Sequence, residues 1–259
     1  MAIVTRREAF VARVRKNSDA IQRMQRASRL PECDWGLEYE LGPAASIAYV
    51  PRARVLARLN TLHGMRAASK GDSKTAVETW LDGMRFSQHL SQGGSLIFLL
   101  VAKTALLSNF HAIAQAIQSG QLDPAQRNQI SVAVRALPKS AFDWSQALAR
   151  EQESLDLAAK HLADAPNPRT YFQELTGNAA PQNFVPPNAP EVAAFHKLMN
   201  SAEAALRLSP DQAAQKLKSI QEALQSLHPF YKSLAPSLTR INDSRLEIAT
   251  ARERLLSSH

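Results

Sequence analysis

Ser95-Leu96-Ile97-Phe98-Leu99-Leu100-Val101-Ala102-Lys103 opens a stretch that continues through Ala105-Leu106-Leu107 to Ile117 with one charge, Lys103. A helix that is apolar on nearly every face is buried in a protein core or in a membrane. The longest uncharged apolar run here falls short of the roughly 18–20 residues that a bilayer span needs. The stretch therefore reads as the buried central helix of a soluble helical domain. Leu99 and Leu100 are both expected in the core, and no transmembrane span is expected in the chain.

Working outward, residues 59–92 read as a helix, a tight turn at Lys70-Gly71-Asp72 and a second helix. Gly71-Asp72 ends the first helix, and Ser73 can cap the second. Gly64, Ala67, Gly71, Ala76, Trp80 and Gly83 fall at spacings of 3, 4, 5, 4 and 3. Small residues so placed let two antiparallel helices approach closely, and Trp80 is expected between them, facing Gly64 or Ala67. This unit resembles the helix-turn-helix of tetratricopeptide repeats. It departs from that pattern at Ala67, where the family has a large aromatic, and in lacking a proline near Gln88. A weaker second match runs from Ala202 through Ala205 and Ala214 to Leu217. A stack needs about three repeats to bury a continuous core, which favours one hairpin inside a non-repetitive bundle. The expected fold class is all-α: antiparallel helical hairpins in a bundle or short tetratricopeptide-like array, about 8–10 helices, no strands required.

Composition agrees. The chain has 259 residues, 45% of them hydrophobic, only 9 glycines and 6% aromatics. Ala, Leu, Gln and Arg, all good helix formers, dominate. The net charge is +8 and the pI about 9.9. Residues 1–30 hold eight Arg or Lys against Glu8 and Asp19, so +6 of that charge lies there. Arg6, Arg13, Arg23, Arg26 and Arg29 spread round most of a helical wheel. They leave the stripe Phe10, Val14, Ile21 and Met24 to pack, as expected of a helix docked by one face. Such a basic helix can meet an anionic surface. Nucleic acid is not expected as a partner, because the interleaved aromatics and Gly-rich loops of the common modules are missing.

Along the chain, a basic helix over 3–29 ends at Leu30-Pro31. A loop over 31–43 carries Glu32, Asp34, Glu38 and Glu40 around Trp35 and Tyr39. Helices follow at 44–69, with Pro51 opening or kinking the main helix, then at 73–92 and 95–119. Asp123-Pro124 starts the next, as N-cap and first helical residue. It stops before Pro138, and 140–163 forms another. Residues 164–190 hold six prolines in 27 residues, interrupted by a helical turn at Thr170–Leu175. Tyr171, Phe172, Leu175, Phe184 and Val185 are too apolar for a free linker, so the segment is expected to pack as an ordered strap. Helices resume at 191–208, at 211–227 behind Ser209-Pro210, and at 237–256. The organisation expected is a helical body over 1–163, the strap over 164–190 and C-terminal helices over 191–259 packed on the body as one domain.

No catalytic motif is present: no G-x-S-x-G, P-loop, dinucleotide fingerprint or H-E-x-x-H. The seven histidines never fall three or four apart, so no helix presents a two-histidine metal face, and no cofactor is implied. Cys33 is the one cysteine. Glu32 and Asp34 beside it raise a thiol pKa, which fits a buried structural residue rather than a reactive one. The four loop carboxylates lack the ligand spacing of a calcium loop. Their expected role is in a loop that docks Trp35 and Leu37 on the core, with some carboxylates facing the basic first helix.

The stretch from Arg26 to about Leu107 resembles a group of uncharacterised bacterial helical envelope proteins. The similarity rests on Arg29-Leu30-Pro31-Glu32-Cys33-Asp34-Trp35, on Ala53-Arg54-Val55-Leu56-Ala57-Arg58-Leu59, on Ala67–Trp80 and on His89–Leu100 with Ser95-Leu96-Ile97. Proteins of that group typically begin with a membrane anchor and often end in a small domain with Gly-x-Tyr-Pro and Asp-Pro patterns; neither the anchor nor that domain is expected in residues 1–259. The resemblance implies an extracytoplasmic helical body without those ends, or a soluble relative in the cytoplasm. It transfers no catalytic residue. Two functions follow as expectations. The first is a non-enzymatic helical interaction or scaffold domain with a protein partner. The second is a ligand-binding protein or hydrolase-like enzyme whose site lies between loop 31–43 and strap 164–190, with Glu32, Asp34, Trp35, Tyr39 and Tyr171 as binding residues.

Overall fold

The computed structural model describes residues 12, 14–36, 41–42 and 47–257. Among these it is all-α, with eleven helices and no strand. They are α1 (Ser18–Ser28), α2 (Val50–Ala68), α3 (Ser73–Ser91), α4 (Leu96–Gln118), α5 (Pro124–Ala136), α6 (Trp144–Asp164), α7 (Pro168–Thr176), α8 (Ala189–Leu206), α9 (Pro210–Leu224), α10 (Pro229–Leu234) and α11 (Leu238–Ser257). The one beyond the expected range is α10, a single turn opened by Pro229 where the sequence shows only scattered prolines.

Start signals sit where the chain places them. Asp123 and Ser209 each form a capping box with the glutamine three residues on, with proline at the first turn. Asn188 does the same with Glu191, so α8 begins at Ala189 rather than 191. Asp72, not Ser73, caps α3, accepting from the Thr75 N–H at 3.1 Å. Pro51 opens α2. The helix expected from 140 begins at Trp144. Ala141 takes a left-handed φ of 60°, and Asp143 caps, accepting from the Gln146 N–H at 2.9 Å. The first helix is broken at Asn17, in a run, Asn17-Ser18-Asp19, of residue types with low helix propensity. The expected stripe is buried at Val14, Ile21 and Met24; Phe10 lies outside the described residues.

The α2–α3 hairpin closes as the small-residue spacing requires. Trp80 is buried between the two helices, and its Nε1 donates to the Thr61 carbonyl at 3.2 Å. A Cβ on Gly64 would come 2.4 Å from that nitrogen. Beneath it lies a polar layer that apolar periodicity does not announce. Asn60 and Asn109 are fully buried. The Asn60 Nδ2 donates to the Thr79 carbonyl at 2.8 Å, Asn109 Nδ2 to the Ala105 carbonyl at 2.8 Å, and Gln25 Nε2 to Asn60 Oδ1 at 3.0 Å. A Cβ on Gly83 would meet both amides within 2.8 Å, so only glycine lets α3 approach them.

Helix α1 is tied to α3 by Asp82, which is buried and receives Arg29 (Nε 2.9 Å, Nη2 2.7 Å) and Arg85 (Nη1 2.7 Å). That hydrogen bond and charge raise the Arg29 pKa. Arg29 of the basic helix thus takes its counter-charge from α3, and among the described residues of the 31–43 loop neither Glu32 nor Asp34 pairs with it; Glu38 and Glu40 lie outside them.

Helix α4 packs on α2, α3, α6 and α11. It is long and apolar enough to cross a membrane by composition, with a window hydropathy of 1.7, yet 67% of that window is buried inside the protein. Its burial is one-sided, against expectation. Leu99 is 1% exposed and its neighbour Leu100 42%, because α11 and α6 leave the outer face of α4 uncovered. Buried apolar residues from Met24 to Leu255 form one cluster. The strap joins it through Phe172 and Phe184, whose rings lie 4.6 Å apart. Tyr171 and Leu175 are half-buried, and Val185 is 64% exposed, contrary to its expected anchoring role.

Candidate functional site

Helices α4 and α11 run side by side in the same direction, and the seam between them is open. At its upper end α6, residues Gly42 and Ile47, and the α10–α11 turn wall off a groove of about 800 Å³. Leu96, Phe98 and Ile241 form its floor; Ile47, Ile97, Leu100 and Leu234 form its apolar walls. A second groove of about 620 Å³ continues the seam along Leu107, Phe110, Ala114, Leu246 and Ala251, and Asp243 lines both. From Ile97 to Gln118 the seam is roughly 30 Å long at the helical rise of about 1.5 Å per residue. Four of the ten large apolar side chains exposed among the described residues, Ile47, Ile97, Leu100 and Leu246, lie on it. Scattered exposed leucines need no explanation, whereas a contiguous set marks an interaction surface.

The rim is charged, and its charges are unequally satisfied. The Lys103 ammonium pairs with Glu247 and donates to Ser244 Oγ at 3.1 Å, crossing the seam between the two grooves. Arg150 pairs with Glu153 at 2.8 Å. Arg240 and Asp243 are exposed on α11. Glu151, half-buried on α6, receives the backbone N–H of Leu96 at the start of α4. Burial pushes its pKa up, and that hydrogen bond only partly offsets the effect. Ser95, the N-cap of α4, makes no side-chain cap bond, so Glu151 serves that helix end from a neighbouring helix.

The residues singled out from the sequence do not gather here. Trp35 is docked on the core, stacked on Tyr49 at 5.6 Å, against Phe86 and Phe98, and donating from Nε1 to the His89 carbonyl at 2.8 Å. Glu32 and Asp34 point to solvent, and Asp34 accepts from the Gly36 N–H. Cys33 is half-buried rather than buried, beside Trp35, which reaches the core. Burial first and Asp34 second push its thiol pKa up. Tyr171 sits on α7, its phenol raised by burial. Tyr39, with Leu37, Glu38 and Glu40, lies outside the described residues. Neither groove is lined by any residue of 164–190, and among the described residues of loop 31–43 Gly42 alone lines one.

A further polar set lies on the opposite flank of α6. His196 Nε2 and Asp156 Oδ1 are 2.8 Å apart. Beside them the fully buried Tyr231 stacks on Phe195 at 4.1 Å. Its phenol has no hydrogen-bond partner among the described residues and is pushed up to about 12, chiefly by burial and then by Asp156 and Glu191. A phenol held that firmly protonated is no base, and the set reads as a fastening between α6, α8 and α10. Among the described residues no group of three or more His, Cys, Asp or Glu stands together as a metal site.

Comparison with known proteins adds no further constraint: no protein-family model, curated protein or solved structure matches the chain.

Proposed function

We propose that this chain is a helical interaction domain that holds an apolar segment of a partner protein along the α4–α11 seam. The observation that carries the reading is the open outer face of α4, where Ile97 and Leu100 are each about two-fifths exposed within an otherwise buried helix. A core helix with an uncovered apolar stripe leaves surface to be removed from water, at about 25 cal/mol per Å². The rim of ion-paired Lys103 and Arg150 around that stripe is the arrangement of a protein-docking site, an apolar centre inside a polar border. The chain is read as working in water, with α4 as a core helix rather than a span; its cellular compartment follows from the resemblance alone.

Site-specific photocrosslinking tests this in cells that express the protein naturally. A crosslinking amino acid at Leu100 should give discrete protein adducts. The same group at Val132, which is 59% exposed on α5 away from the seam, should not. Adducts of equal yield at both positions, or none at Leu100, would remove the groove from consideration as a docking site.

A further inference from the structure

We infer that the occupant of the seam is an amphipathic helix of a partner protein, and that it seats a lysine or arginine on Glu151. This rests on the docking reading above and adds the chemistry of the partner.

The secondary structure selects the shape. Among the described residues there is no strand, so no sheet edge is available for an extended peptide to join. Of the modes that remain, a helix laid into a groove, anchored by apolar residues at i, i+3, i+4 and i+7, is the one whose spacing the seam matches. The seam offers the matching template. Leu100, Leu107, His111, Ala114 and Gln118 line it from α4 at spacings of 7, 4, 3 and 4. Ridges of a third helix pack between two adjacent helices at such spacings.

Charge selects the contact. Glu151 is partly withdrawn from water on the groove wall, near the Leu96 N–H, and forms no ion pair among the described residues. A carboxylate removed from water without a counter-ion is unfavourable, and a cation delivered to it recovers that loss. The groups facing the groove around it do not serve. On α4, Lys103 is held by Glu247 and Ser244. On α6, Arg150 is paired with Glu153. On α11, Arg240 and Asp243 are exposed and solvated. No ion pair to Glu151 is formed among the described residues. Arg240, being in water, loses little when left alone, so it does not call for an acidic partner with comparable force.

The proton linkage has a defined sign. Burial raises the Glu151 pKa in the free protein, and a seated cation lowers it again. Binding therefore needs the ionised form and weakens as pH falls through the free-protein pKa.

The test is selection of a displayed library of amphipathic 18-residue helical peptides, randomised on the apolar–polar boundary, against the full chain. Selected peptides should carry Lys or Arg at one boundary position. They should bind Glu151→Gln about tenfold or more weakly than the parent, lose affinity as pH is lowered, and fail on Leu100→Glu. Circular dichroism of both variants controls for folding, and Glu151→Gln keeps shape and volume. Peptides that depend on Leu100 yet ignore Glu151 would overturn the cationic contact while sparing the groove. Selection of no Leu100-dependent peptide would overturn both. So would a parent protein that sediments as a dimer and becomes monomeric on Leu100→Glu, since a second copy would then fill the seam.

Discussion

A methyl group placed on Gly64 sets two opposing effects against each other. Gly64 lies inside α2, where alanine exceeds glycine in intrinsic helix propensity by about 1 kcal/mol. At an open position Gly64→Ala would stabilise the protein by that amount. Here the new Cβ would stand 2.4 Å from Trp80 Nε1, 2.8 Å from Cδ1 and 2.9 Å from Cε2. The indole is 1% exposed, so it has no free space into which to retreat, and a retreat stretches its 3.2 Å bond to the Thr61 carbonyl. Overpacking of this kind costs about 1–3 kcal/mol, and a neutral hydrogen bond contributes about 0.5–1.5 kcal/mol. After the propensity gain, the net loss should be about 1–3 kcal/mol. Urea denaturation followed by far-ultraviolet circular dichroism measures it, in the parent, Gly64→Ala, Trp80→Leu and the double variant. In the Trp80→Leu background the clash is gone, so adding Gly64→Ala should become neutral or stabilising. A parent stabilised by about 1 kcal/mol on Gly64→Ala, or strict additivity across the cycle, would refute the packing of the hairpin.

Adjacent residues on α4 should part company: Leu99→Ala costs about 2–5 kcal/mol, while Leu100→Ala costs under about 1 kcal/mol. Equal losses by chemical denaturation would mean the helix is rotated from the orientation described. Asp82→Asn deprives Arg29 and Arg85 of their buried counter-charge. It should cost about 1–3 kcal/mol, less than a fully buried pair because both arginines are half in water, and speed amide exchange in α1 more than in α9. Glu151 has a folded pKa raised above its ordinary 4.5. The stability it contributes is full below that value and is lost as pH rises through the folded pKa. Glu151→Gln should therefore stabilise the protein at pH 7, with the gain fading below about pH 4.5; an equal effect at both pH values would show that the charge is not the cause. His63 is displaced downward by burial first and Arg66 second. It contributes stability above its ordinary 6.5 that is lost as pH falls through its folded pKa, and His63→Gln should flatten thermal stability between pH 7 and pH 5.

Much of the architecture is written in local pattern. Caps at Asp123 and Ser209 followed by proline, the small residues of the α2–α3 hairpin and the Val14–Ile21–Met24 stripe each act within a few residues of their neighbours in the chain. Two kinds of feature escape such reading. One is the polar layer of Asn60, Asn109 and Gln25, where Gln25 bonds Asn60 and the rest is satisfied by backbone carbonyls and Thr61, and whose members look like surface residues in sequence. The other is the end of a helix set by a loop. Residues 140–143 carry no breaker, yet Ala141 turns left-handed and Asp143 takes the cap, because Phe142 and Trp144 must both reach the core.

The candidate site belongs to the same class of hidden feature. Leu99 and Leu100 are identical side chains one residue apart, and which of them is buried depends on where α11 lands, well over a hundred residues later. Glu151 is one carboxylate among many on an amphipathic helix; its distinction is the N–H of Leu96, supplied from 55 residues upstream. Trp35 and Tyr171 attracted attention as aromatics in proline-bearing loops, but an aromatic in a loop is as well suited to pinning that loop as to holding a ligand, and the Trp35 stack on Tyr49 does the former. What separates the seam from those loops is energetic. The seam sets an uncovered apolar stripe beside a half-buried carboxylate with no ion pair among the described residues, whereas the loop aromatics are already packed. On the docking reading proposed above, both groups find their partners in the complex, where the stripe leaves water and the carboxylate meets a cation.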